Sequence, residues 1–213
     1  MGHSHDIVFV ALSFGVAILA SWTALGLLGR VRANLELQRA LWLVATATAM
    51  GGGIWSMHFI GMLAMKMSMP ISYHLPLTAF SFVIALVSAT LAITIAISGK
   101  TLSTKRLAVA TSVLSSGVVT MHYVGMAAII EHAAIAWNSA LILLSVVIAV
   151  VASGAGLWLA FHLRQNTRRA LVHRLIAALV MALAIASMHY TGMGAATFTH
   201  AGHALHSGIT SLE

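Results

Sequence analysis

Long apolar runs alternate with short polar breaks along the whole chain. Six runs, at about 7–28, 41–64, 76–98, 107–130, 138–162 and 172–197, are long enough for a helix to cross ~30 Å of hydrocarbon, which takes about 20 residues. The breaks are short, and none reads as a linker or a second domain. The pattern predicts an all-α membrane protein, residues 1–213 forming a single domain of six transmembrane helices. Composition agrees: 60% of residues are apolar and 7% charged, against about 25% charged in soluble domains. The first run is longer than the apolar core of a signal peptide and no basic flank precedes it. It is therefore expected to stay as the first helix.

Charge adds orientation. The first break carries Arg30, Arg32 and Arg39, the third Lys100, Lys105 and Arg106, and the fifth Arg164, Arg168 and Arg169, with Arg174 opening the last run. Of the eleven basic residues only Lys66 lies elsewhere. Loops rich in lysine and arginine stay in the cytoplasm, so both termini are expected outside a bacterial cytoplasmic membrane. The net charge of +7 follows from this asymmetry. With no basic helix face and no interleaved aromatics, it does not point to nucleic acid. The lipid bilayer is the partner that the composition demands. The tryptophans, Trp22, Trp42, Trp55, Trp137 and Trp158, mostly fall near run ends and read as an interfacial belt.

One six-residue phrase occurs near the end of every second run: Met57-His58-Phe59-Ile60-Gly61-Met62, Met121-His122-Tyr123-Val124-Gly125-Met126 and Met188-His189-Tyr190-Thr191-Gly192-Met193. The histidines are 64 and 67 residues apart. Each repeat, about 7–64, 76–130 and 138–197, then reads as a helical hairpin. The three hairpins are parallel, with helices 2, 4 and 6 carrying the phrase at one depth. If those helices line a pseudo-threefold axis, as in transporters built from parallel repeats, the phrases converge. Small residues before each phrase (Gly51, Gly52 and Gly53; Ser115, Ser116 and Gly117; Ala182, Ala184 and Ala186) suit close helix approach.

The phrase carries metal chemistry. Positions i and i+4 share a helix face, so His58 pairs with Met62, His122 with Met126, and His189 with Met193. Gly61, Gly125 and Gly192 remove a side chain where a helix or a ligand must come close. The leading methionines Met57, Met121 and Met188 point elsewhere on the helix and are weaker ligand candidates. There is no cysteine, so any soft donor is a thioether. Imidazole with thioether and no carboxylate suits copper; haem between two of the histidines is the lesser alternative. The histidines must be neutral to bind. Histidine inside a membrane span is a functional candidate by default.

The phrases Met-His-Tyr-Val and Met-His-Tyr-Thr, with Met-His-Phe-Ile as a variant, resemble those of the MHYT domain family, over residues 7–197. The resemblance implies a bacterial membrane sensor module whose Met, His and Gly residues lie near the outer face, bind copper and sense a diatomic gas such as oxygen, carbon monoxide or nitric oxide. Carried over, these are Met57, His58, Gly61 and Met62; Met121, His122, Gly125 and Met126; Met188, His189, Gly192 and Met193. Phe59 departs from the tyrosine of the other copies. Many members continue into a cytoplasmic output domain, often for cyclic-di-GMP turnover. This chain runs to Glu213 without one, so a separate signalling or oxidase partner is expected, and no enzymatic activity. The competing reading is copper handling: uptake, carriage or loading of an oxidase. Met62, Met65, Met67 and Met69 with His74 support it, as do His3, His5, His200, His203 and His206 on the same side. Glu131 and His132 are accessory ligand candidates.

Overall fold

The structure is a computed structural model. It describes residues 5–33, 36–65, 72–99, 101–130, 133–162 and 170–200. The helices are α1 (Ile7–Ala33), α2 (Glu36–Ala47), α3 (Gly53–Leu63), α4 (Leu75–Ile97), α5 (Thr104–Ala127), α6 (Ser139–His162) and α7 (Ala170–Gly194). A π-helical segment, Thr48–Gly52, joins α2 to α3. These make six membrane-length apolar spans, the second being Gln38–Leu63. The chain is a multi-pass membrane protein. Large apolar side chains such as Leu19, Val87, Leu143, Val151 and Leu183 stand on its exterior, where lipid satisfies them.

Lipid is as apolar as leucine, so helix association here relies on close packing rather than on the hydrophobic effect. Small residues provide it. Gly53 lies against Ala20 of α1 and Gly117 against Ser88 of α4. At the π segment, a methyl group on Gly51 would sit 2.6 Å from the Ala85 carbonyl oxygen. The extra residue of a π turn thus brings backbone against backbone at α4. α4 packs along α5, α6 along α7, and α1 along both α7 and α3, while α3, α5 and α7 touch one another at the centre.

The six spans match the expected runs to within a few residues, with one correction. Runs expected to stay helical to 130 and 197 stop at Ala127 and Gly194. Beyond them the chain becomes extended. β1 (Ser72–Tyr73) pairs antiparallel with β2 (Ile129–Ile130), and β3 (Ala133–Trp137) with β4 (Ala196–His200). At 24 and 25 residues the helices already exceed the bilayer span. Past the hydrocarbon, β-branched Ile129 and Ile130 favour strand. The strands cover the end of the bundle where the three phrases lie.

The opposite end holds the basic side chains among the described residues, Arg30, Arg39, Lys105, Arg106 and Arg174. Arg30 stacks on Trp42 at 4.6 Å and Arg174 on Trp22 at 4.1 Å, and Arg39 donates to the Ile97 carbonyl. These are cation–π pairs of the interfacial kind. Trp55 does not belong to that belt. It is half-buried, eight residues before the end of α3, and donates to Ser81.

Candidate metal centre

The local sequence sets the depth of each histidine. His58, His122 and His189 each stand five residues before the last residue of their helix, Leu63, Ala127 and Gly194. Depth along three parallel helices is therefore equal, about 7–8 Å below the helix end at 1.5 Å per residue. Side-chain direction then decides whether they meet, and they do. Each is 1% exposed, and the three rings stand edge to face with centroids 4.8, 5.0 and 5.3 Å apart.

The rings present Nδ1 to the centre. Nδ1 of His58 lies 3.1 Å from Nδ1 of His189 and 3.1 Å from Nδ1 of His122. All three ligand atoms fall within 4.8 Å of one another. Protons alone satisfy this arrangement poorly. A neutral imidazole nitrogen carries either one hydrogen or one lone pair, so the His58 Nδ1 hydrogen can serve one neighbour only. A cation accepts all three lone pairs at once. Nitrogens held about 2.0–2.1 Å from a single ion stand ~3.3–3.6 Å apart, close to the observed spacing. The triad therefore fits a metal ion, and no acid side chain is needed to complete it.

Outward-facing Nε2 atoms lie against the glycines. Nε2 of His58 abuts Gly125, that of His122 abuts Gly192, and that of His189 abuts Gly61, closing a cycle through α3, α5 and α7. Any Cβ at these glycines would overlap the neighbouring ring. None of the three Nε2 atoms makes a well-aligned hydrogen bond among the described residues, though the Gly192 and Gly61 backbones stand within reach of His122 and His189. If Nδ1 binds a metal, Nε2 carries the hydrogen, and it points at the adjacent helix where only a glycine leaves room.

The methionines divide into two sets. Met62, Met126 and Met193, one turn nearer the helix ends, gather in a single buried cluster with Met65, Ile129 and Ala196, flanked by Phe59, Tyr73 and Ile135. Burial raises the Tyr73 phenol above its ordinary value, so its hydroxyl stays protonated at physiological pH. The leading methionines are not gathered. Met57 packs with Ala17 and Ala182, and Met121 with Ile54 and Ala85, while Met188 lines a cavity below. Of the accessory candidates, Met65 joins the thioether cluster. His5 pairs with Met65 through the backbone and stands edge-on to Tyr190, and the His74 N–H bonds to Ala128 O. His3, Met67, Met69, Glu131, His132, His203 and His206 lie outside the described residues, as does the side chain of His200.

A further shell was not recognised in the sequence. Ser13, Ser81 and Ser145 are fully buried, and each is the seventh residue of its helix, α1, α4 and α6. Each hydroxyl donates to a carbonyl three residues back, on Val10, Thr78 and Ile142. That leaves the oxygen to accept. Tyr190 bonds Ser13 at 3.0 Å and Tyr123 bonds Ser145 at 2.8 Å. Phe59 has no hydroxyl, and Trp55 Nε1 donates to Ser81 at 3.0 Å in its place. The aromatic that follows each histidine stands edge-on to it at a centroid distance of 4.9 Å. The matching position of the serines in α1, α4 and α6 was the available signal.

Known proteins resemble this chain along most of its length. The family profile described as "MHYT: Bacterial signalling protein N terminal repeat" matches residues 51–110 and 116–173, which hold the first two phrases. A bifunctional diguanylate cyclase/cyclic di-GMP phosphodiesterase, MucR of Pseudomonas aeruginosa, is 47% identical over 92% of this chain and 28% of its own length. The signaling protein YkoW of Bacillus subtilis is 35% identical over 92% of the chain and 24% of its own. The cyclic di-GMP phosphodiesterase NbdA of Pseudomonas aeruginosa is 37% identical over 87% and 24%. The chain thus spans about a quarter of the length of these relatives. No solved structure matches it. With more than half its length matched by the profile, the chain belongs to the MHYT family of bacterial signalling repeats.

Proposed function

We propose that this chain is a copper-binding sensor module for a diatomic gas, set near the outer face of a bacterial cytoplasmic membrane. The observation that carries the reading is the buried triad: three Nδ1 atoms converging with no carboxylate beside them among the described residues. His58, His122 and His189 would hold the ion, and the thioethers Met62, Met126 and Met193 would supply weak soft donors beyond it. That donor set favours copper over hard cations. When bound, copper would supply a coordination position for a small gas. The protein's own part is to exclude water, hold three rings by the cyclic glycine seats and fix them through the serine–aromatic bonds. Both termini would lie outside, since the basic residues gather at the other end. The cyclic seating supports reading the three hairpins as repeats about one axis. The named relatives support a place in cyclic-di-GMP signalling, with the module itself performing no reaction and acting through a partner or output domain.

Metal analysis with absorption and EPR spectra tests this. Protein purified after copper-replete expression should carry near-stoichiometric copper, and His58→Ala, His122→Ala and His189→Ala should each abolish it. Protein without copper would overturn the assignment, and a haem spectrum would replace it.

Copper handling is the second reading. The fourth thioether, Met65, in the cluster above the triad favours it. Against it, the helix turn directly below the triad presents Ile54, Val118 and Ile185, and the space beneath offers only the thioethers Met50, Met181 and Met188, with no imidazole or carboxylate among its lining residues. Copper uptake into proteoliposomes separates the two.

A further inference from the structure

A cavity of about 30 Å³ lies among the motif helices on the side of the triad away from the thioethers. Ile54, Val118 and Ile185, each four residues before a histidine, line it, with Met50, Leu114 and Met181 a further four residues back. Four residues back along a helix is the same face, ~6 Å lower. The cavity therefore stands under the triad, on the three helices that carry it. Its wall on α6 is made of small residues: Ala149, Ala152, Ser153 and Gly156. A second void of about 10 Å³ shares Met50, Ile54, Met181 and Ile185 with it and is walled by Ala17, Ala20 and Ser21 of α1.

Size and lining restrict the occupant. A water needs about 10–15 Å³ and two to four polar partners, whereas apolar cavities stay dry and take apolar atoms such as xenon. Here Ser153 is the one hydroxyl in the main cavity. A diatomic gas fits such a space, and such gases dissolve better in hydrocarbon than in water. On the other side of the triad the buried methionine cluster and the paired strands close the approach.

We infer that this chamber binds an apolar diatomic gas beneath the triad, and that the gas enters from the bilayer through the small-residue wall of α6. Its purpose rests on the reading of the triad as a gas-responsive centre; its detection does not. Dissolved oxygen is paramagnetic and speeds the relaxation of nearby methyl groups. In metal-free, methyl-labelled protein in nanodiscs, oxygen should relax the methyls of Ile54, Leu114 and Met181 several-fold faster than those of Val31 and Ile93, which are as deeply buried elsewhere. Ala149→Leu, or Ser153→Leu should the first variant not fold, fills the chamber from α6 and should remove the difference. The inference is overturned if the chamber methyls match Val31 and Ile93, or if the filled variant keeps the enhancement. A chain that never binds copper can still show the enhancement, and a copper-loaded chain can lack it, so the two readings fail separately.

Discussion

At the residue scale the glycines are as demanding as the histidines. A methyl group on Gly61, Gly125 or Gly192 overlaps a histidine ring that two other rings already hold in place. Overpacking of this kind costs about 1–3 kcal/mol. Gly125→Ala is thus expected to lower both thermal stability and bound metal. Gly194→Ala, where a Cβ meets nothing within 4 Å, should change neither. Metal content and unfolding temperature of the two variants check this, and equal behaviour would show that the glycine seat is unimportant. The sequence placed each glycine between histidine and methionine but could not say what it faced. The contact is with the next helix in the cycle, not with its own.

At the element scale the spans are tied in pairs by the buried serines. Each serine–aromatic hydrogen bond is expected to contribute about 0.5–1.5 kcal/mol. Ser145→Ala and Tyr123→Phe should each cost this much, and the double variant little more than the larger single change, because both remove one bond. Trp55→Phe should have the same effect through Ser81. Additive losses in a double-mutant cycle would refute the pairing. These serines were not legible because a hydroxyl bonding back along its own helix is ordinary in membrane spans. Only the partner from a motif helix distinguishes them. The strands escaped for a related reason: apolar residues 128–130 and 195–196 continue the composition of the helix before them, and their pairing is with distant segments.

At the scale of the whole molecule two expectations follow from charge. Proton and metal compete for the imidazole lone pair, so copper affinity should fall as pH falls, which equilibrium dialysis over a pH series would show. An affinity independent of pH would argue against histidine ligation. The chain has no cysteine, so single cysteines report sidedness cleanly. With basic loops inside, Ser72→Cys, exposed near the triad end, should react with an impermeant maleimide in intact cells. Ser103→Cys, exposed at the basic end, should react only after permeabilisation. The reverse pattern would invert the topology.

What the sequence determined by itself is local: six apolar spans, the basic end, the depth of each histidine and its methionine one turn away. These depend on residue type and helical repeat, which act within a few neighbours. Tertiary structure decided the rest. Equal depth permits three imidazoles to meet, but only the rotation of α3, α5 and α7 about their own axes turns Nδ1 inward and Nε2 onto a glycine. The same packing separates the trailing methionines, which gather, from the leading ones, which scatter. It leaves a small, mostly apolar cavity below the triad, because Ile54, Val118 and Ile185 do not fill the space that the small residues of α6 leave open.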